Sequence, residues 1–342
     1  MRIDQRYAGT GPNTAVNGGA ASYTVDRWQT FSGQATKFSF QQNAGSFALP
    51  AGFPNYLGLT VVNAYTSGSS ASDYFSVDQV IEGLNVSDLG WGTANAQEVT
   101  LSFWVRTSVI GTYSVFIQNG AGNRSYVANY SVGSANIWTK ISLTIPGDTT
   151  GTWATNNTGG IIVAWDLGTG SVYQTTAGVW GAGNYFTTSS AVKWVSNAGA
   201  TFNLTGVQLE AGGAASAFEH RPYGYELTLC QRYYENNYPY GTARGSSGMT
   251  GYTYYLTIAT INGYLTGAIP FKVKKRLGSS TTVNFWTYAG VSGWHYGRVG
   301  ATETVFTPTN VTVGTDNVSW FNSGIATSQD VMYGMWEANA EL

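Results

Sequence analysis

Charge is the scarcest property of this chain. Asp, Glu, Lys and Arg make up only 10% of its 342 residues, against about 25% in an average soluble protein. The net charge is −2, with nine Lys/Arg and eleven Asp/Glu before Tyr225 and seven of each after it. Neither half is basic, which argues against a nucleic-acid partner. There is one cysteine, Cys230, so no intrachain disulfide is possible. That thiol and two histidines, His220 and His295, cannot furnish a convincing zinc site. Nothing in the sequence sets either histidine beside Cys230, so a buried inert thiol is expected rather than a nucleophile. No apolar run reaches 18 residues, which argues against a membrane-spanning helix and membrane insertion. The opening MRIDQRYAGT has no apolar h-region, so no secretion signal is expected. No G-x-S-x-G and no P-loop opens a helix after a strand, and GDTTGT and GTGS read as turns. No catalytic residue, metal or cofactor is expected.

What replaces charge is glycine, small polar residues and aromatics. There are 44 Gly, 23 Tyr, 15 Phe and 12 Trp, and 43% of residues are hydrophobic. That is enough for real cores and is not the high-charge signature of disorder. Low surface charge on a β-rich chain courts aggregation unless the surface is buried in an assembly. A homotrimer with a Tyr-, Trp- and Phe-rich apolar interface is therefore expected.

The pattern is of many short strands. In VTLSFWVR, Val99, Leu101, Phe103 and Val105 share one face, and Thr100, Ser102, Trp104 and Arg106 the other. TYSVFI follows after Gly111 at a hairpin-like spacing. YVANY, WTKISLTI, GGIIVAWDLG, AVKWVS and TFNLTGVQLE continue, punctuated by Gly, Asn, Asp or Ser. Residues 1–24 are turn-rich and should wrap an edge. The fold class expected is all-β: two jelly-roll-like β-sandwich domains, 1–225 and 226–342, joined by a short helix-containing linker. The linker follows the Arg221-Pro222 break. In YELTLCQRYYENN, Leu227, Cys230 and Tyr234 fall at helical spacing, with Glu226 early and Arg232 late. In AIPFKVKKR, Ile269, Phe271 and Val273 alternate with Lys272 and Lys274, and DVMYGMWEANAEL should end the chain in a paired strand.

Aromatics carry the best binding signal. Trp153, Trp165, Tyr173, Trp180, Tyr185 and Trp194 crowd one span among Gly, Thr and Asn. Trp286, Tyr288, Trp294, His295 and Tyr296 form a second group in NFWTYAGVSGWHYGR, which reads as loops or a hairpin tip. Flat rings stack on sugar CH faces while amides and hydroxyls take the hydrogen bonds. The carbohydrate-binding candidates are Trp165, Tyr173, Trp180, Tyr185, Trp286, Tyr288, Trp294 and Tyr296. The alternative for each is a place in a core or subunit interface. Among the carboxylates, Asp73, Asp78, Glu82 and Asp88 are close in sequence, and Asp78 and Glu82 share strand parity. A glycosidase needs two carboxylates about 5–10 Å apart, and sequence spacing does not establish that; solvated or hydrogen-bonded strand carboxylates are expected. No loop has the calcium-binding EF-hand spacing. The basic run Lys272, Lys274, Lys275, Arg276 suits a solvated strand edge; the alternative is contact with a phosphate-rich surface polymer such as lipopolysaccharide.

SYTVDRW, YFSVDQVIEGLNVSDLGWG, VTLSFWVRTSVIGTYSVFI and LTGVQLEAGGAASAFEHRPYGYELTLCQRYYE resemble a recurrent module of bacteriophage tail fibre and related virion proteins. The first part is similar to jelly-roll carbohydrate-binding modules. The run IPFKVKKR…TTVNFW and the closing WEANAEL resemble that family's C-terminal part. The resemblance implies a non-enzymatic virion fibre or spike protein, often trimeric, assembled with other virion proteins and meeting a host-surface glycan. Two other functions fit less well: a carbohydrate-binding module pair of a secreted polysaccharide-degrading system, and a capsule or lipopolysaccharide depolymerase. The solenoid period such depolymerases usually show is absent.

Overall fold

The computed structural model describes residues 1–14, 21–65, 70–247, 253–256, 264–298, 304–306, 308–323 and 330–342. For 253–256, 264–266, 294–298, 304, 306, 321–323 and 330–333 it describes the backbone alone. The chain divides into two compact units. Unit 1 is Met1–Asp4, Gly9–Arg221 and Leu342; unit 2 is Gln5–Ala8 and Pro222–Glu341. The division follows the X-Pro break, a few residues before Tyr225. A four-residue segment near the N-terminus, Gln5–Ala8, belongs to unit 2.

Unit 1 runs through β1 (Asn13–Thr14), β2 (Ala21–Tyr23), β3 (Trp28–Ser32), β4 (Phe38–Gln42), β5 (Leu57–Val61), β6 (Phe75–Glu82) and β7 (Val99–Thr107). It continues with β8 (Gly111–Asn119), β9 (Ser125–Val132), β10 (Thr139–Ile145), β11 (Gly159–Asp166), β12 (Trp180–Gly181) and β13 (Thr201–Ala211). One sheet has the order β1-β4-β5-β13-β7-β10, the other β12-β9-β8-β11-β6-β3-β2. The chain crosses repeatedly between the sheets, as in a jelly roll. The spacing after Gly111 suggested a hairpin, but β7 and β8 lie in different sheets. A short loop between two half-buried strands can bridge layers as readily as it can turn within one. The two edge strands β1 and β2 come from the turn-rich start of the chain.

Alternation drives the layering. Val99, Leu101, Phe103 and Val105 of β7 are all fully buried, as their shared parity predicts. They meet the inner face of the second sheet, where Phe103 sits edge-on to Trp165 with centroids 5.2 Å apart. Val77, Val115, Ile117 and Val163 are buried on that same inner side. In β13 the register shifts between Thr205 and Gln208. Gly206 occupies this bulge at φ +57°, and an added Cβ would lie 2.7 Å from the Phe53 ring. Glycine is needed there on both counts.

Unit 2 opens with α1 (Tyr223–Gln231). Cys230 is buried, as expected, and Glu226 lies in the first turn. Tyr234, expected on the helical stripe, lies instead in β14 (Tyr234–Asn236). Two residues, Arg232 and Tyr233, separate the helix end from this strand, and pairing to the C-terminal strand overrides the helical period. There follow β15 (Thr253–Leu256), β16 (Tyr264–Pro270), β17 (Thr282–Trp286), β18 (Trp294–Arg298), β19 (Thr304–Phe306), β20 (Thr312–Val313), β21 (Asn317–Ser323) and β22 (Asp330–Asn339). The last strand is paired as the sequence predicted. It is the spine of the larger sheet: β14 and β15 pair along one flank, β17 and β18 along the other. The smaller sheet is β16-β21-β20. Ile269, Phe271, Val318 and Trp320 pack against Phe285, Trp336 and Ala338, which makes a core between the two sheets.

The basic run is not a solvated strand edge. β16 stops at Pro270, and Lys275 and Arg276 turn inward and are buried. Lys275 Nζ donates to Glu235 Oε2 at 2.5 Å and to the Gln231 carbonyl. Arg276 donates to the Ala340 and Glu341 carbonyls. Only Lys272 and Lys274 are exposed. Among the described residues no helix is long and apolar enough to cross a membrane.

Candidate functional site

Because Trp165, Val163, Val77 and Val115 face the core, their neighbours in sequence face outward. Strand register sets these outward residues in rows. One row runs Gln29, Asp78, Ala164, Phe116, Val127 across β3, β6, β11, β8 and β9. The row beside it begins Phe31, Ser76, Asp166. On the other side lie Val80, Ile162, Gln118 and Ser125. This is the outward face of the seven-stranded sheet, and it carries no lysine or arginine in these rows.

Aromatic rings stand over part of it. Phe31 stacks on Tyr74 at 4.6 Å. Tyr74 meets Tyr173 edge-on at 5.9 Å, and Tyr173 stacks on Phe186 at 4.7 Å. Phe186 stacks on Phe116 at 4.7 Å. Phe116, Val127, Ala164 and Phe186 form the buried base, with Tyr74, Ile162, Tyr173 and Tyr185 packed half-buried against it. The segment bearing Tyr173, Tyr185 and Phe186 is fastened down by polar anchors. Thr187 Oγ1 donates to Asp166 Oδ2 at 2.7 Å, and Gln118 Nε2 donates to Asn184 Oδ1 at 2.6 Å. The Tyr185 amide donates to Ser125 Oγ at 3.0 Å. Asp166 Oδ1 accepts from the Gly168 and Thr169 amides, which fixes the turn after β11. Rings held this way lose little freedom when a ligand stacks on them.

The polar floor lies at one end of the row. Asp78 Oδ2 accepts from Gln29 Nε2 at 2.7 Å, and Oδ1 accepts from Ser76 Oγ at 3.1 Å. Burial pushes the Asp78 carboxyl up to about 7, against those two hydrogen bonds. Gln29 Oε1 is buried and accepts no hydrogen bond among the described residues. A buried carboxyl with a strongly raised pKa beside an unfilled acceptor is unusual in a purely structural face.

A second aromatic group lies elsewhere in unit 1. Trp91, Trp153 and Trp180 meet mutually edge-to-face, with centroids 4.7, 5.3 and 5.4 Å apart. Their indole N–H groups donate to the Gln97 carbonyl, to Asp148 and the Thr150 carbonyl, and to the Pro146 carbonyl. Arg124 clamps Asp148 with two hydrogen bonds of 2.8 and 2.5 Å. With every indole N–H satisfied within the fold, this group reads as packing.

The sequence candidates therefore separate. Tyr173 and Tyr185 lie together on the outward face. Trp180 belongs to the tryptophan trio. Trp165 is fully buried between the sheets, in contact with Trp28 and Phe103, and is corrected to a core residue. Its strand parity is the cause: it falls on the inner side of β11. In unit 2, Trp286 is half-buried at the end of β17, edge-on to Tyr238 at 6.3 Å, and Tyr288 is exposed in the turn that follows. The backbone of Trp294 and Tyr296 lies in β18; their side chains lie outside the described residues. Gln29, Phe31, Tyr74, Ser76 and Phe186 were not singled out from sequence. The parity of β3 and β6, once the sheet order is known, finds Gln29, Phe31 and Ser76, whereas Tyr74 and Phe186 lie outside those strands and are placed by the ring contacts alone.

Asp73 is engaged in the fold, and Asp88 is exposed. Asp73 accepts from Tyr65 Oη, Gln34 Nε2 and the Ser70 amide. Burial pushes it up, but these bonds outweigh that and hold its pKa below the usual value. Asp78 is hydrogen-bonded rather than solvated, in line with the bonded alternative expected of the strand carboxylates. Among the described residues no cluster of His, Cys, Asp or Glu could hold a metal ion.

No protein-family model matches this chain, and no curated protein matches it significantly. Several solved structures are similar to it at low identity. The enzymatically active domain of bacteriophage CBA120 tailspike protein 4 matches with 10% identity and a TM-score of 0.32, over 59% of this chain and 22% of that one. TmCBM61 in complex with β-1,4-galactotriose matches with 11% identity and a TM-score of 0.29, over 54% of this chain and 88% of that one. The family 11 carbohydrate-binding module of the cellulosomal cellulase Lic26A-Cel5E of Clostridium thermocellum matches with 12% identity and a TM-score of 0.28, over 61% and 100%. The chain thus spans less than a quarter of the tailspike chain it matches.

Proposed function

We propose that this chain is a non-catalytic glycan-binding protein, and that it serves as a fibre or spike protein of a bacteriophage virion that contributes to host-surface attachment. The observation that carries the glycan reading is the outward face of the seven-stranded sheet. Half-buried rings of Phe31, Tyr74, Tyr173 and Tyr185 share the outward side with a polar floor of Gln29, Ser76 and Asp78. Rings offer stacking surface to sugar CH faces, and the floor offers hydrogen-bond groups for hydroxyls. The virion setting and a homotrimeric state rest on the sequence resemblance and on the scarcity of charge.

The test is binding of the whole chain to a glycan array and to host cells, with Tyr173→Ala as the variant. Loss of one stacking face should weaken binding about tenfold, with the melting temperature tracked alongside. Undiminished binding by Tyr173→Ala would remove the face from consideration. A carbohydrate-binding module pair would use the same face. Light scattering separates the two readings, since a trimer supports the fibre and a monomer the isolated module.

A further inference from the structure

The glycan face has a polarity of its own, and the argument here rests on that proposed face. We infer that Gln29, Ser76 and Asp78 are its specificity-determining floor, and that this floor selects uncharged, hydroxyl-donating sugars and rejects acidic ones.

The hydrogen-bond count points to donors. Ser76 Oγ gives its hydrogen to Asp78, and Gln29 Nε2 gives Asp78 one of its two N–H groups. Each carboxyl oxygen of Asp78 accepts one such bond, although an ionised carboxylate offers about four lone-pair sites. Gln29 Oε1 accepts none among the described residues and is buried within a residue only 7% exposed. Open acceptor sites on Asp78 and on Gln29 Oε1 thus outnumber the one remaining Gln29 N–H, and the hydrogen they call for is supplied by a sugar hydroxyl and not by a carboxylate or sulfate. Space points the same way. Ala164, facing Asp78 across the strands, is the smallest side chain of its row. The floor is nearly closed, with Gln29 7%, Ser76 6% and Asp78 4% exposed, so only a slim group such as a hydroxymethyl arm fits it.

Charge points the same way again. Facing Asp78 are Gln29 from β3 and Ala164 from β11, neither ionisable. On its own strand stand Ser76 and Val80, with Glu82 at the end, and Tyr74 precedes the strand. The next outward ionisable group on β11 is Asp166, also acidic. The cations of neighbouring segments donate to backbone: Arg27 to the Val80 carbonyl and Lys193 to the Thr169 carbonyl. An anionic sugar would meet the Asp78 carboxyl in a poorly solvated place where no cation is paired to it. Hydroxyl donors bond more strongly to the ionised carboxylate than to the acid. Their binding therefore favours ionised Asp78, and affinity for neutral sugar should rise with pH through about 7, the value to which burial lifts this group.

The experiment titrates the whole chain with two probes by calorimetry at about pH 6 and about pH 8. One is a tetrasaccharide of neutral hexoses chosen from the array. The other is the tetrasaccharide of the same linkage with hexuronic acids. The expected result is that the uronate binds at least about tenfold more weakly, and that the neutral sugar binds several-fold more tightly at the higher pH. Asp78→Asn should remove the pH dependence while keeping the fold, and Gln29→Leu should weaken neutral binding without creating uronate binding. Uronate affinity equal to or above the neutral sugar's overturns the inference on the wild-type chain alone, whatever the variants do. So does an unchanged pH profile in a folded Asp78→Asn. If neither probe binds and Tyr173→Ala leaves cell attachment intact, the glycan face itself falls, and the floor's role with it.

Discussion

Unit 1 buries Asp78 and Asp166 against hydroxyls, amides and backbone N–H groups, whereas unit 2 buries Glu235 and Glu337 against Lys275 and Arg244. In unit 1 burial is the leading influence on both aspartates and raises their pKa values against the hydrogen bonds they accept, and no cation is paired to Asp78. Asp148 differs because it has Arg124: burial raises it, but the Arg124 hydrogen bonds and those of Thr150 prevail and its pKa is lowered, as it is at Asp73. In unit 2 the carboxylates staple chain segments far apart in sequence. Glu235 of β14 takes Lys275 and the Lys272 amide. Glu337 of β22 takes Tyr234, Arg244 and Asn284. Arg6, from the segment near the N-terminus, pairs with Glu341 and lies over the Tyr234 ring at 3.7 Å. A buried pair between opposite charges holds elements in register. A buried carboxyl without a paired cation is costly, so the polar interior of unit 2 joins distant segments while Asp78 carries a burial cost that hydrogen bonds offset only in part.

The largest effect should come from cutting a staple. Lys275→Met leaves Glu235 buried without its cation and should cost about 3–5 kcal/mol. Chemical denaturation should then show unit 2 unfolding well before unit 1. Lys275→Met combined with Glu235→Gln should recover part of the loss. If both units unfold together at the wild-type midpoint, the staple is not what holds β14 and the basic run together.

Asp78 should behave in the opposite sense. Its folded pKa is raised from 3.8 to about 7. Between those values the folded chain keeps a proton that the unfolded chain has released, so this group's contribution to stability falls as pH rises through that window. Asp78→Asn removes the fall. It should therefore gain about 1–3 kcal/mol at pH 8 and nothing near pH 4. Melting curves across that range check it, and a loss of stability at pH 8 would show that the carboxylate is stabilising after all.

The smallest effect should be at the exposed side of α1. Leu229 is partly exposed on the helix, and Leu229→Ser should shift the stability of the free chain by no more than about 0.5 kcal/mol. A larger loss in thermal melts would mean that this residue is covered in solution.

Much of the architecture was legible in the sequence. The parity of β7, the X-Pro break before α1, the burial of Cys230 and the pairing of the last strand all follow from local rules. The errors have one cause. Trp165 read as a ligand platform, Tyr234 as helical, Lys275 and Arg276 as a solvated edge, and Gly111 as a hairpin turn. Each reading used neighbours in sequence, and each was overruled by a partner far along the chain: Phe103 for Trp165, Asn339 for Tyr234, Glu235 for Lys275 and a second sheet for β8.

By itself the sequence determined that the chain is β-rich, scarce in charge, free of disulfides and supplied with aromatics in place of ions. Period-two alternation and glycine-punctuated spacing are local properties, and local residues suffice to encode them. Only the tertiary structure decided which aromatics pack the core and which line a face, and that Gln29 and Asp78, forty-nine residues apart, share one floor. Strand parity specifies two faces without saying which is inside. That choice belongs to the sheet packed opposite, and no stretch of sequence contains it.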